Sequence, residues 1–158
     1  MEQGKGFFHS EDPEAFTGEH IEAEIRMLEE RVSRSETDAA LLFRLATLYL
    51  GRQRTADAIK MLEATLQAEP HHVEAYFLLG NCYIHFDQFE FAARYYIKAV
   101  KLSPEHLPAL FNLGFCYEKL GMAQKAIAAF KKFYVLSKDP HQQEEARFRL
   151  FKLGLNIE

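Results

Sequence analysis

Two cysteines have the greatest potential for nucleophilic chemistry in this sequence. His85 and Asp87 follow Cys82 closely, so a thiol, a base and an acid stand near one another. A nucleophilic cysteine needs such an activating base and a third group that orients it. However, Cys82 and Cys116 occupy equivalent positions of a repeated pattern, where a small apolar residue is commonly wanted, and buried thiols behave as small hydrophobes. We therefore expect no catalytic site and no enzyme activity.

Residues that could bind metals, phosphates or nucleic acids are also sparse in this sequence. His71 and His72 are adjacent, and neighbouring side chains on a helix point roughly 100° apart, which makes them poor joint ligands. The sequence contains no Cys-x-x-Cys or His-Glu-x-x-His spacing and no glycine-rich phosphate loop. The lysines expected on outer helix faces are Lys98, Lys101, Lys131, Lys132 and Lys138. They fit a solvated surface, so we expect no metal, no cofactor and no nucleic-acid partner.

Charge is distributed unevenly along the 158 residues, whose formal net charge is −4. Residues 1–38 carry 11 acidic and 4 basic side chains, whereas residues 39–140 carry 9 acidic and 12 basic ones. Nucleic-acid binders are usually far more basic. No apolar run approaches the roughly 18 residues of a membrane helix, and no signal peptide is evident. We expect a cytoplasmic protein that does not insert into membranes.

A single repeat period, of about 34 residues, organises the centre of the chain. The recurring sets are Phe43, Phe77 and Phe111; Leu45, Leu79 and Leu113; Tyr49, Tyr83 and Tyr117; Ala58, Ala92 and Ala126; and Ala46, Gly80 and Gly114. Each unit reads as two helices separated by a turn, and in the second unit these helices are Glu74–Phe86 and Phe89–Leu102. One helical hairpin cannot bury its apolar stripe alone, and about three must stack to form a stable core. The period therefore predicts an all-α fold in which the small residues let paired helices approach closely.

These residues resemble the tetratricopeptide repeat. The second unit shows its pattern almost completely, with Tyr76, Leu79, Gly80, Tyr83, Ala92, Tyr96, Ala99 and Pro104. The first unit is looser, and the third has Phe133 where alanine is usual and its proline, Pro140, two residues late. The resemblance implies a right-handed solenoid of three helical hairpins that binds another protein.

The predicted organisation has helical flanks on both sides of the repeats. An apolar stripe of Ile21, Ile25, Leu28 and Val32 predicts an N-terminal helix, and Gln142–Leu153 reads as a final helix that ends at Gly154. We expect this last helix to be a solvating cap. The segments are a flexible acidic head (1–17), the N-terminal helix (18–36), three repeats (37–70, 71–104 and 105–140), and the capping helix with its tail (141–158).

The resemblance also implies that partners bind on the concave side, which the first helix of each hairpin lines. A purely structural helix should be polar there, yet this side is rich in apolar residues. We expect the groove to comprise Phe43, Arg44, Thr47, Leu50, Phe77, Leu78, Asn81, Ile84, Phe111, Asn112, Phe115 and Lys119. Soluble monomers rarely expose so large an apolar patch unless it binds something.

Two alternatives to an open groove stay open. The repeated phenylalanines could pack on the neighbouring repeat and belong to the core. Alternatively, Phe7, Phe8 or Phe16 of the acidic head could fold back into the groove.

Two groove asparagines invite comparison with co-chaperones of this family that clamp a partner's terminal carboxylate. Asn81 and Asn112 match the two asparagines of that clamp, but Phe77 replaces its first lysine. The later basic positions fall near Gln142 and Ala146, although Arg147 and Arg149 are close. Half a clamp is present, and the asparagines could instead hydrogen-bond a peptide backbone or water.

The leading hypothesis is a protein-interaction adaptor that holds a peptide or helix of its partner. The layout also looks like the class II chaperones of type III secretion, which makes a dedicated chaperone the main alternative. A non-catalytic regulatory or assembly subunit of an enzyme complex is the other. A homo-oligomer is compatible with the sequence but is not predicted.

Overall fold

The computed structural model describes residues 13–35 and 38–156, which form eight α-helices and no strand. Helix α1 spans Pro13–Ser33, and α8 spans Pro140–Lys152. Between them lie three hairpins: α2 (Ala39–Gly51) with α3 (Thr55–Ala68), α4 (Val73–His85) with α5 (Phe89–Leu102), and α6 (Leu107–Lys119) with α7 (Ala123–Leu136). The all-α prediction is confirmed for this part of the chain.

The flanking helices differ from the predicted ranges at their starts. Helix α1 begins at Pro13 rather than Gly18, as proline is well tolerated in the first turn of a helix, where its missing N–H is not needed. Helix α8 begins at Pro140 for the same reason, and its chain then reverses at Gly154, whose φ is +82°. Residues 1–12 lie outside the described residues. The hypothesis that Phe7, Phe8 or Phe16 fills the groove falls on side chains that are not described.

The hairpins close tightly at the small residues that recur once in each repeat. A Cβ added at Gly114 would lie 2.8 Å from the ring of Phe130 on the paired helix, and one at Gly80 would overlap the ring of Tyr96. Contacts this short do not occur in real structures. The two glycines therefore let a fully buried aromatic ring lie directly against the backbone of the first helix.

The hairpin turns share a left-handed residue that also recurs at one equivalent position of each repeat. Gln53, Asp87 and Gly121 have φ values of +58°, +55° and +69°. Glycine adopts this conformation freely, whereas a side chain adds roughly 1–2 kcal/mol of strain. In the first turn this residue is Gln53, and Gly51 is still part of helix α2.

Stacking joins the hairpins through a series of apolar clusters. Ile25 and Leu28 of α1 pack with Leu45 and Tyr49 of α2, so α1 covers the outer side of the first hairpin. At the other end Leu150 of α8 packs with buried residues of α7. No helix within the described ranges is long and apolar enough to cross a membrane.

Candidate binding groove

The first helices of the hairpins, α2, α4 and α6, carry the predicted groove residues. In a tetratricopeptide solenoid these helices line the concave surface, and here residues of α6 and α8 also line one pocket. Phe43, Phe77 and Phe111 are all half-buried on this surface. Their burial is not explained by their own hairpins alone, because each ring also meets the next unit along the array.

Two of these rings stack on histidines of the following repeat. The ring centroids of Phe43 and His72 are 4.4 Å apart, and those of Phe77 and His106 are 4.9 Å apart. The alternatives of core and groove are therefore not exclusive. Each of these two phenylalanines packs on the next repeat with one side and is still partly exposed.

The third ring is packed more deeply. Phe111 lies 5.4 Å from the Phe130 ring and 5.1 Å from the Phe133 ring, both on α7. The guanidinium carbon of Arg149 on α8 lies 5.9 Å from Phe111 and 5.8 Å from Phe115. Arg149 of α8 thus contacts the third phenylalanine, as histidines of the following repeat contact the first two.

His72 and His106 are groove residues that the sequence-based list omits. In each, Nδ1 accepts a hydrogen bond from the backbone N–H of the third residue of its helix, at 3.2 Å from Ala75 N and 3.1 Å from Ala109 N. Each histidine is therefore the N-cap of its helix. His106 Nε2 also lies 2.9 Å from Glu74 Oε1. The repeat period could have identified both histidines, because they occupy equivalent positions of successive repeats.

Asn81 and Asn112 form a hydrogen-bond network with a buried tyrosine. Tyr96 Oη donates to Asn81 Oδ1 at 2.6 Å, and Asn112 Nδ2 donates to the same oxygen at 3.0 Å. Asn112 Nδ2 also lies 3.2 Å from Tyr96 Oη. Burial raises the pKa of Tyr96, which keeps its hydroxyl protonated as a donor. The asparagines are thus brought together and fixed by the protein itself.

Other predicted groove residues are held by contacts within the protein. Arg44 donates two hydrogen bonds to Glu24 of α1, at 2.8 and 3.0 Å, and this contact lowers the pKa of the Glu24 carboxyl. Thr47 Oγ1 donates to the backbone carbonyl of Arg44 at 2.7 Å. Three aliphatic side chains of the predicted set are half-buried and pack against the core: Leu50, Leu78 and Ile84.

Phe115 and Lys119 lie at the far end of α6. The rings of Phe115 and Phe89 are 6.0 Å apart, and Lys119 Nζ lies 5.3 Å from the Phe115 centroid. Nearby, Arg149 forms ion pairs with Glu118 at 3.3 Å and with Glu145 at 2.9 Å. The charges at this end of the groove are therefore largely matched.

An apolar pocket of about 440 Å³ opens between the N-terminal halves of α6 and α8. Its lining residues are Leu107, Pro108, Phe111, Asn112, Phe133, His141, Gln142 and Glu145. Its size is within the range of small-ligand pockets, and its wall joins the groove at Phe111 and Asn112. Only Phe111 and Asn112 among them belong to the groove expected from the sequence. Most of the others come from the first turns of α6 and α8, which periodicity does not mark, and Phe133 comes from the last turn of α7.

The basic half of the carboxylate clamp has no counterpart at the positions compared. Phe77 stacks on His106 where the clamp has lysine. Gln142 Oε1 accepts a hydrogen bond from Ser137 Oγ at 2.8 Å, and Ala146 is fully buried. Arg149 reaches the groove but is already paired with two carboxylates.

The cysteines sit in surroundings that disfavour the thiolate. Cys82 and Cys116 are buried, and burial raises their pKa to about 11 and about 12. Catalytic cysteines need the opposite, a lowered pKa and access to substrate. Within residues 18–35 and 38–156, no group of three or more potential metal ligands lies close together.

Known proteins resemble the chain mainly in fold. A family model described as anaphase-promoting complex, cyclosome, subunit 3 matches residues 51–133, which is more than half of the chain. No curated protein matches. A crystal structure of MamA has a TM-score of 0.70 and 21% identity, covering 89% of this chain and 84% of that one. The first tetratricopeptide repeat domain of Spaghetti (RPAP3), solved with the HSP90 peptide SRMEEVD, has a TM-score of 0.67 and 18% identity, covering 75% and 94%.

Proposed function

We propose that this chain, which belongs to the tetratricopeptide family, is an adaptor for another protein. The family model that matches it is described as anaphase-promoting complex, cyclosome, subunit 3. The chain is a helical solenoid of tetratricopeptide hairpins, and this fold suits the binding of proteins rather than catalysis. In this proposal the concave groove holds a peptide or helix of the partner. The residues of the groove listed from the sequence remain the proposed contact set, enlarged by His72, His106 and Arg149.

The pocket between α6 and α8 is the observation that carries this proposal. It combines the open side of the Phe111 ring with Leu107, Pro108 and Phe133. Burying one leucine- or phenylalanine-sized side chain there would contribute roughly 1.5–3 kcal/mol to binding. The partner segment should therefore bring at least one large apolar anchor to this pocket.

Polar groups beside the pocket suit a peptide main chain. The network of Asn81, Asn112 and Tyr96 holds the asparagine amides in one orientation, so a bound backbone meets prearranged hydrogen-bonding groups. Arrangements that are fixed before binding lose less entropy when the partner arrives. A peptide that lies across these amides can place its apolar side chain in the pocket.

A solved neighbour supports the choice of partner. The first tetratricopeptide repeat domain of RPAP3 is bound to a short peptide, SRMEEVD. The likeness is one of fold, so the peptide class of this chain follows from its own residues. Those residues favour apolar anchors over an acidic terminus.

The proposal is tested by closing the pocket without disturbing the helix. Pro108 is exposed on the first turn of α6, where a glutamate is compatible with the positive end of the helix dipole. Peptides selected on the wild-type protein from a displayed random library should carry a large apolar anchor. Their affinity should fall at least tenfold for Pro108→Glu, as measured by fluorescence anisotropy.

Ala128→Glu is the matched control, because it adds the same charge to an exposed position of α7. It should bind the selected peptides as the wild type does. If Pro108→Glu binds equally well, or if no apolar preference emerges, the proposed groove is wrong. If the affinity falls as expected, the identity of the partner that carries the selected sequence separates a general adaptor from a chaperone or an assembly subunit.

A further inference from the structure

The second helices of the last two hairpins carry an uncompensated excess of positive charge. Residues 91–102 and 123–138, which include most of α5 and α7, contain seven basic residues and no acidic one. Five lysines of these segments are exposed, and an exposed valine lies among them. Together these six residues form the lysine face, which consists of Lys98, Lys101, Lys131, Lys132, Val135 and Lys138.

The lysine face covers the ends of both helices. Lys98 and Lys132 occupy equivalent positions of successive repeats, and Val135 lies three residues beyond Lys132, on the same side of the helix. Val100 of α5 and Tyr134 of α7 pack against the same apolar cluster. The C-terminal halves of the two helices therefore meet, and their lysines flank one junction.

The lysines of this face differ from most other cations of the described residues because they have no acidic partner. The arginines at both ends of the array are paired, as Arg44 is with Glu24 and Arg149 with Glu145. Among the described residues, no carboxylate lies within 4 Å of a lysine of this face. The helix dipole accounts for Lys101 alone, because Lys101 is the only one of the five in the last turn of a helix.

We propose that the lysine face binds the headgroups of an anionic lipid bilayer, so that the protein lies on a membrane surface without crossing it. Clustered lysines are attracted by the negative surface potential of such a bilayer. Their long apolar stems lie along the acyl boundary while the ammonium groups stay among the headgroups. Val135 is 77% exposed, and an apolar side chain that enters between the headgroups adds burial to the attraction between charges.

The residue types of the face favour lipid over other anionic partners. Lysine is depleted at protein–protein interfaces, where arginine and aromatic residues are enriched. Proteins that bind single-stranded nucleic acids stack aromatic side chains on the bases, but the exposed apolar residue of this face is a valine. Most ion pairs of the described residues use arginine, whose planar group suits a partner of defined geometry. Lysine is a compact point charge on a flexible stem, which suits a fluid layer of headgroups.

A membrane on this side leaves the proposed groove accessible. The groove residues belong to the first helices of the hairpins and to α8, and Phe133 is the only residue of α7 that lines the pocket described above. Phe133 precedes Val135 by two residues, so the two side chains point about 200° apart around the helix. The proposal therefore adds a location to the proposed adaptor and does not depend on what its groove binds.

Co-sedimentation of the full chain with lipid vesicles tests the proposal. The wild type should bind vesicles of phosphatidylcholine that contain about 30% phosphatidylserine, because these have an anionic surface. It should not bind vesicles of phosphatidylcholine alone. Raising the salt concentration from about 0.05 M to about 0.5 M should release the protein, since salt screens the attraction.

Two pairs of substitutions separate the lysine face from net charge. Lys98→Gln/Lys132→Gln should weaken vesicle binding at least tenfold, since each lysine near an anionic surface contributes roughly a fivefold factor. Lys60→Gln/Lys152→Gln removes the same charge from exposed positions of α3 and α8, and it should bind nearly as the wild type does. Val135→Thr keeps the shape of the side chain and should weaken binding about twofold to fivefold. Circular dichroism should show the same helix content in all of these variants.

Several outcomes would overturn the proposal. A wild type that does not bind anionic vesicles overturns it, as do equal losses in the two lysine pairs, because net charge rather than the face would then control binding. Unchanged binding of Val135→Thr overturns the entry of Val135 between the headgroups. Labelled polyglutamate and an oligothymidylate represent the other anionic partners, and tighter binding of either than of the vesicles overturns the assignment to lipid.

The same variants keep this proposal separate from the proposed groove. Lys98→Gln/Lys132→Gln should bind the peptides selected on the wild type with unchanged affinity, and Pro108→Glu should bind anionic vesicles as the wild type does. Loss of peptide binding in Pro108→Glu with retained vesicle binding supports both proposals, and either one can fail without the other.

Discussion

At the scale of single residues, two glycines determine how tightly the hairpins close. The ring of Tyr96 occupies the space that a side chain at Gly80 would need, and Phe130 does the same at Gly114. Both rings are fully buried, so neither can move aside without disturbing its neighbours. These glycines are required for close approach rather than for a special backbone conformation.

Gly80→Ala should therefore lower the free energy of unfolding by about 1–3 kcal/mol, the usual cost of overpacking a core. Urea denaturation followed by circular dichroism measures the change. Gly51→Ala is the matched control, because nothing lies within 4 Å of a Cβ at that position. It should be neutral or stabilising by up to about 1 kcal/mol, as alanine favours helix over glycine. Equal losses in both variants would contradict the role of ring contact.

At the scale of helices, the starts of α4 and α6 matter as much as their faces. His72 and His106 each cap a helix with Nδ1 and stack their ring on a phenylalanine of the preceding repeat. One side chain thereby connects the start of one helix to the groove face of another. At each of these two junctions, the same histidine therefore caps a helix and makes an aromatic contact.

His106→Ala should cost about 1 kcal/mol of stability through the lost cap, plus the ring contact with Phe77. His106→Asn removes the same ring but supplies a good capping side chain. The difference between the two variants in urea denaturation therefore isolates the cap. If His106→Asn is as unstable as His106→Ala, the cap contributes little and the stacking on Phe77 carries the effect.

The sequence predicted helices better than it predicted contacts. The repeat period located the hairpins, and the predicted range of α5, Phe89–Leu102, agrees with the structure at both ends. Periodicity reports which positions are equivalent, but it does not identify the partner of a side chain. Periodicity therefore could not predict that Arg44 pairs with Glu24 or that Asn112 donates a hydrogen bond to Asn81. It also could not predict that α8 exposes Phe148 and Phe151.

At the scale of the whole molecule, the uneven charge of the sequence has a structural consequence. Carboxylates of α1 pair with arginines of the first repeat: Glu22 with Arg52, Glu24 with Arg44, and Glu29 with Arg54. The acidic N-terminal part thus neutralises the basic side of the body locally. At the other end, Glu118 and Glu145 surround Arg149. Both arginines of the groove are consequently engaged before any partner arrives.

This distribution predicts that an acidic peptide binds poorly. The HSP90 peptide SRMEEVD should show no saturable binding below about 1 mM, because its carboxylates would have to displace Glu24 from Arg44 or two glutamates from Arg149. Lys119 remains, but it lies over the Phe115 ring at the far end of α6. Isothermal titration calorimetry with the wild-type chain is the direct measurement.

Restoring cations at the clamp positions should reverse this result. The double variant Phe77→Lys/Gln142→Lys places two positive charges beside Asn81 and Asn112, so the peptide should bind measurably and more weakly as salt is raised. Ala128→Lys adds a cation to the exposed face of α7 and should not help. Tight binding of the peptide to the wild type would contradict the assignment of an apolar groove. It would mean that the paired arginines release their carboxylates readily, and that charge rather than apolar anchoring selects the partner.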